Sequence, residues 1–306
     1  SPLFHVYGMT SAMSVTFYLG GNLILVPKFD VEQVIDIIEK TKPTSFPGVP
    51  TMYIALVNYY NVRKFDLSCF KICSSGSAPL PIEIINQFNE ISGTSVAEGY
   101  GLSEASPVTH RNPVDGLQKK GSIGIPIPNT DARIVDIATG EQTLAVGEVG
   151  ELVIRGPQVM KGYWNRPEET NIAIRNGWLY TGDLAKMDED GFFFIVGRKK
   201  EMIIASGYNV YPIEVENVMY KHPAVLEVAV IGIPHEYRGE TIKAIVVLKE
   251  GHDVTPDQLI DFCRAELSAY KVPREIQFVK ELPKTAVGKI LKRNLITQFN
   301  SQSDQV

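Results

Sequence analysis

Phe70-Lys71-Ile72-Cys73-Ser74-Ser75-Gly76-Ser77-Ala78-Pro79-Leu80-Pro81, followed by Ile82 to Ser92, is the stretch on which the fold turns. Phe70–Cys73 is a short run that reads as a strand. Small residues and prolines then fill a loop, and a helix is expected from Ile82 to Ser92. Strand, small-residue loop and helix is the α/β arrangement in which ligands sit at the carboxyl ends of strands. Upstream, Val31, Val34, Ile35 and Ile38 recur at helical spacing after Asp30, a good N-cap, and Thr41-Lys42-Pro43 stops that helix. Pro50-Thr51-Met52-Tyr53 opens another, with Pro near its start.

From Gly121 the texture changes. Gly124-Ile125-Pro126, Ala132–Val135, Gly150–Arg155 and Gly191–Val196 read as short strands between turn residues, which points to a β-barrel or sandwich subdomain. After Arg198 a helix from Pro212 to Lys221, strands Val225–Ile231 and Ile242–Leu248, helix Pro256–Leu267 and strand Glu275–Val279 make an α+β unit of about 100 residues. The expected fold is therefore an α/β part at 1–120, a β-barrel-like part at 121–199 and a mobile α+β domain at 200–306, with the boundary at Gly197–Glu201. The 306 residues themselves predict two domains.

Hydrophobic residues make up 44% of the chain and charged residues 21%, which excludes a disordered tail, a collagen-like fibre and a coiled coil. The net charge of −5 argues against a general nucleic-acid surface. The three cysteines, Cys69, Cys73 and Cys263, form neither a disulfide framework nor a zinc set, and a cytosolic setting with buried free thiols is expected. Apolar runs are too short to span a bilayer. The start Ser1-Pro2-Leu3-Phe4 leads us to expect a piece of a longer protein.

General motifs fail one by one. Gly288-Lys289 is followed by Ile290, where a Walker loop needs Ser or Thr. Gly99-Tyr100-Gly101 is only the first half of a dinucleotide fingerprint. Gly239 stands where a zincin needs its second His, and Ala105 where a nucleophile elbow needs Gly. Five constellations remain. Ser75–Pro79 lets a planar ring or phosphate approach the backbone, or is an ordinary βα turn. Glu98-Gly99-Tyr100-Gly101-Leu102-Ser103-Glu104 pairs flexible glycines with a hydroxyl for a phosphate oxygen and a carboxylate for Mg²⁺ beside it, or is a solvated loop. Trp178–Asp183 reads as an aromatic turn ending in an acid that suits two ribose hydroxyls or only stabilises the turn. Gly197–Glu201 is a solvated linker or a hinge. Pro283–Ile290 carries Lys289 on a Gly-flexed loop, either a surface lysine or a cation that can neutralise charge developing on a carboxylate or phosphate.

The order of these segments resembles the adenylate-forming superfamily: the small-residue loop, G-Y-G-L-S-E, G-E-L-x-I-R-G-P, Y-T-G-D, G-R-K-K-E, S-G-Y-N-V-Y-P-x-E-V-E and P-K-T-x-x-G-K. Within it the chain is similar to fatty acyl-CoA ligases, notably at Pro157–Trp164 and Phe262-Cys263-Arg264. The resemblance implies that ATP and a carboxylic acid give an acyl-adenylate and pyrophosphate, and that coenzyme A then displaces AMP. It implies that Gly76, Ser77, Ala78, Pro79, Glu98, Gly99 and Tyr100 flank adenine and that Ile195 belongs to the nucleotide set. Ser103 would touch phosphate and Glu104 would hold Mg²⁺. Asp183 and Arg198 would take the ribose hydroxyls. Lys200 would be the hinge, Lys289 the lysine of adenylation, and Ser206, Gly207 and Tyr208 part of the loop facing thioester formation. His5 would lie beside the acyl carboxylate.

The family's Thr/Ser/Gly-rich phosphate loop ending in P-K-G is absent from the sequence, so the expected state of this polypeptide alone is inactive. Expected partners are a fatty acid, ATP and CoA, with peripheral membrane association through the substrate and a homodimer. Three other readings stay open: an amino-acid-activating adenylation domain, a luciferase-like oxygenase sharing the adenylation step, and a non-catalytic nucleotide-binding module.

Overall fold

The computed structural model describes residues 2–113, 115–285 and 288–303. It divides into two compact units, residues 1–181 with 185–195 and residues 182–184 with 196–306. The last crossing between them falls at Ile195/Val196, beside the expected boundary at Gly197–Glu201.

The first unit opens with a π-helical segment, Gly8–Ser14, and a short helix α1, Val15–Tyr18. Helix α2, Val31–Thr41, begins where Asp30 accepts the Gln33 N–H at 2.9 Å and ends at Lys42 in the left-handed region. Strand β1, Ser45–Gly48, helix α3, Pro50–Tyr60, strand β2, Ile72–Ser75, helix α4, Ile82–Ser92, and strand β3, Val96–Gly101, follow. β1, β2 and β3 are parallel neighbours, as helical crossovers require. The strand expected at Phe70–Cys73 thus lies two residues later. Phe70 is instead a buried side chain that packs on Phe46 with ring centroids 5.4 Å apart. Strand β4, Val108–Arg111, antiparallel to β3, and β5, Ile125–Pro126, antiparallel to β4, complete the sheet.

Two segments read as loop and turn are strands. Glu98–Gly101 belongs to β3, and its glycines are there for close packing. A Cβ on Gly101 would sit 2.1 Å from the Pro107 carbonyl oxygen. The β-rich stretch forms a second five-stranded sheet from β6, Asp131–Val135, β7, Gly150–Arg155, β8, Ile174–Arg175, β9, Trp178–Met187, and β10, Phe193–Arg198, with helix α5, Pro167–Ala173, before β8. Trp178–Asp183, read as an aromatic turn, is the first half of β9. Phe193 exchanges backbone bonds with Ile123 and Gly124, both at 2.9 Å, and so joins β10 to the turn before β5.

The second unit holds β11, Ile203–Ala205, β12, Tyr208–Val210, helix α6, Pro212–Met219, β13, Val225–His235, β14, Gly239–Leu248, helix α7, Pro256–Glu266, β15, Glu275–Phe278, and helix α8, Lys292–Ser303. Its sheet is covered on both faces. Val228 and Val230 pack with Val215, Leu259 and Cys263, whereas Ala229 and Ile231 pack with Leu295 and Phe299. That double burial explains the unbroken apolar run in β13. Cys73 and Cys263 are buried free thiols, while Cys69 is only partly buried. No helix among the described residues is long and apolar enough to cross a membrane.

Candidate functional site

In the first unit the small-residue loop leaves the end of β2. A Cβ on Gly76 would lie 2.9 Å from the Tyr7 ring, so only glycine admits that ring. The Tyr7 hydroxyl donates to the Ser74 carbonyl at 2.9 Å, and burial pushes its pKa up to about 12. Ser77 holds a positive φ of 75°. The Oγ atoms of Ser75 and Ser77 are buried and have no hydrogen-bond partner among the described residues. Two orphaned hydroxyls at the end of a parallel strand suit a polar ligand. Ala78 is half-buried and Pro79 exposed.

Glu98 and Tyr100 lie on β3 next to that loop. The Glu98 carboxylate accepts the Leu80 N–H at 3.2 Å on Oε1 and the Gly121 N–H at 3.1 Å on Oε2. Burial pushes this carboxyl up to about 7, against the pull of those two bonds. Gly99 pairs with Arg111, and Tyr100 with His110. Ser103 is exposed at the start of a single turn, Ser103–Ala105. Glu104 is braced twice: its carbonyl accepts Met160 N–H at 2.7 Å, and its Oε1 accepts the Tyr163 hydroxyl at 2.8 Å. Burial and that bond push Tyr163 up to about 12. Among the described residues no cluster of three or more metal-ligating side chains exists. One braced carboxylate is the donor set that fits Mg²⁺ completing its shell with phosphate oxygens and water. His5 is half-buried, and its Nδ1 accepts the Tyr7 N–H at 3.3 Å. Ile195, on β10, packs on the apolar core of the second sheet.

In the second unit Asp183, only 7% exposed, faces Arg198, with Nε 3.1 Å from Oδ1. Lys289 is held in the same electrostatic neighbourhood. Burial first, and Arg198 next, lower its pKa, while Asp183 and Glu201 oppose that change. The loop that carries it is tighter than expected. Thr285 N–H donates to the Lys289 carbonyl at 2.8 Å, and Lys289 N–H donates to Thr285 Oγ1 at 3.1 Å. Gly288 has φ 78°, which closes this turn. Ala286 and Val287 of the motif lie outside the described residues. Lys200 is exposed in the turn Lys199–Glu201 that follows β10. Ser206 and Gly207 both take positive φ between β11 and β12. Tyr208 stacks on Tyr270 with centroids 4.7 Å apart. Ser206, Arg238 and Tyr270 line a cavity of about 20 Å³, room for about one water.

The structure brings Asp183, Arg198 and Lys289 together although more than a hundred positions separate the first and last. Each Glu98 carboxylate oxygen accepts one backbone amide, from Leu80 and Gly121. Tyr163 carries no role in the sequence beyond its place in Pro157–Trp164. Its hydroxyl proves to be the partner of Glu104, which no local spacing signals.

The chain matches the AMP-binding enzyme family over residues 1–164 and the AMP-binding enzyme C-terminal domain over 214–289. It is 54% identical over 297 residues to a long-chain-fatty-acid–CoA ligase of Bacillus subtilis (strain 168), covering 97% of this chain and 53% of the relative. It is 42% identical to a long-chain-fatty-acid–CoA ligase of Salmonella typhimurium, covering 99% and 54%. ATP-bound MatB from Rhodopseudomonas palustris superposes with a TM-score of 0.91 at 34% identity, over 99% of this chain and 59% of that one. The chain spans about half the length of the curated relatives it matches. Its fold is that of adenylate-forming enzymes, and with more than half of its residues under the first of those matches the chain belongs to the AMP-binding enzyme family.

Proposed function

We propose that this chain serves an AMP-forming acid–thiol ligase that activates a long-chain fatty acid and transfers it to coenzyme A. The observation that carries the reading is Lys289, half-buried beside the Asp183–Arg198 pair. A cation set among groups suited to a ribose is what adenylate chemistry needs at its reacting phosphate. The fatty-acid assignment is supported by the names and identity of the two bacterial relatives.

In the first half-reaction an acyl carboxylate oxygen forms a bond to the α-phosphorus of ATP, and the bond to pyrophosphate breaks. Asp183 accepts ribose hydroxyls and Arg198 holds the same sugar, which orients the α-phosphate. The Lys289 ammonium offsets the charge that builds there. Ser103 donates to a phosphate oxygen, and Glu104, steadied by Tyr163, would hold Mg²⁺. Bound Mg²⁺ would neutralise the leaving pyrophosphate. In the second half-reaction the CoA sulfur attacks the acyl carbon and AMP leaves. Ser206, Gly207 and Tyr208 are assigned to that step, Lys200 to the hinge and His5 to the acyl carboxylate. A cytosolic setting, a homodimer and peripheral membrane contact through the acyl substrate belong to the same proposal.

The test uses a polypeptide of the relatives' length containing this chain. Lys289→Ala should abolish ATP–pyrophosphate exchange with C16 acid yet convert supplied acyl-adenylate to acyl-CoA. Lys200→Pro should do the reverse. Equal loss of both half-reactions in both variants would sink the assignment, and exchange driven by amino acids instead of fatty acids would redirect it to amino-acid activation.

A further inference from the structure

Glu98 is 8% exposed in the middle of β3, at its last parallel pair with β2, and has no cation bonded to its carboxylate among the described residues. Its two oxygens go to two different turns. Oε1 takes the Leu80 N–H, which follows directly on Gly76–Pro79, and Oε2 takes the Gly121 N–H, which precedes β5. Its main-chain carbonyl also accepts Asn112 N–H and Nδ2, each at 3.1 Å. The strand position is thereby pinned, and the carboxylate links it to both turns. An ionised carboxylate is acceptor-only and satisfies both amides. A protonated one turns one oxygen into a hydroxyl, a weaker acceptor, and the amide on it loses a charge-assisted partner.

We infer that Glu98 is a positioning residue whose ionised carboxylate ties the turns at Leu80 and Gly121 to β3 and so sets the Gly76–Pro79 backbone for a nucleotide. The tie stands on the hydrogen bonds alone. Its functional half rests on the reading proposed above. Burial lifts the Glu98 carboxyl to about 7, and charged and titratable groups stand on the elements around it. On β2, Cys73 is pushed up to about 12 by burial, and Ser75, the register partner of Glu98, carries an orphaned hydroxyl. On β4, His110 is pushed down to about 3 by burial, and Arg111 is exposed. Glu83 of α4 accepts from Gln87, Lys119 pairs with Asp188 and Asp190, and Lys120 donates to Asn86.

The experiment follows the backbone ¹⁵N resonances of Leu80 and Gly121 and the Glu98 side-chain carboxyl ¹³C resonance from pH 5 to 9, with AMP as the binding probe. All three signals should share one midpoint close to neutrality, and in Glu98→Gln neither amide should titrate. AMP affinity should rise about tenfold across that range in the parent and stay flat in Glu98→Gln, the size of one charge-assisted bond. Amides that stay flat, that titrate with separate midpoints, or that still titrate in Glu98→Gln overturn the tie. Should Glu98→Gln not fold, the parent decides: a carboxyl midpoint that the amides do not share overturns it. AMP binding without pH dependence overturns the functional half alone. Failure of the parent to bind AMP overturns the nucleotide reading, while the shared midpoint still decides the tie.

Discussion

Asp183 and Glu98 are both buried acids, yet their surroundings set them opposite tasks. Asp183 has Arg198 at 3.1 Å and keeps a charge to offer. An acid bonded to sugar hydroxyls contributes about 1.5–3 kcal/mol, so Asp183→Ala should raise the KM for ATP roughly ten- to a hundredfold with kcat less affected. Steady-state kinetics in a polypeptide of the relatives' length checks this, and an unchanged KM would leave Asp183 a partner of Arg198 only. Glu98 has no such cation, and burial lifts it to about 7 from an ordinary 4.5. The native state then binds its proton more tightly than the unfolded chain does. Stability from this group is therefore greatest below about pH 4.5 and is lost as pH rises toward 7, by a few kcal/mol at most, since a tenfold difference in proton affinity is worth roughly 1.4 kcal/mol. His110 acts in the other sense, because its depressed pKa removes stability as pH falls below about 6.5. Urea midpoints at pH 5 and pH 8 should show Glu98→Gln gaining on the parent at the higher pH. No gain would mean that the carboxyl ionises without cost.

At the scale of elements, caps and glycines decide where segments stop. Helix α7 starts with a full capping box, in which Thr255 accepts the Gln258 N–H and the Gln258 side chain accepts the Thr255 N–H. Thr255→Ala should cost about 1 kcal/mol, read as a lower urea midpoint with unchanged slope, and Thr255→Ser should restore most of it. Helix α2 was legible because its signal is local: Asp30 precedes apolar residues at helical spacing. Strands β3 and β9 were not. Glu98-Gly99-Tyr100-Gly101 and Trp178–Asp183 carry turn-type glycines, and pairing with residues far along the chain overrides that local preference.

For the whole molecule, the second unit has its own double-faced core. Val215, Leu259 and Cys263 cover one side of its sheet, and Leu295 and Phe299 cover the other. Such a core supports independent folding. A polypeptide of residues 196–306 should therefore unfold in one cooperative urea transition and show dispersed amide resonances. A molten chain with gradual unfolding would mean that residues 182–184, which cluster with this unit, are required for it.

Residue types, their order and the helix periodicities sufficed to place an α/β start, a β-rich middle and an α+β end, and to name Ser103, Glu104, Asp183 and Lys289 as candidates, with Arg198 added by the family resemblance. These signals are local, so they survive in one dimension. The tertiary structure alone decided which of those groups meet. It put Lys289 into the field of Arg198 and Asp183, gave the Tyr163 hydroxyl to Glu104, and joined the Glu98 carboxylate to the Leu80 and Gly121 amides. The physical reason is that burial and hydrogen-bond partners arise from residues tens of positions apart, and neither composition nor spacing records them.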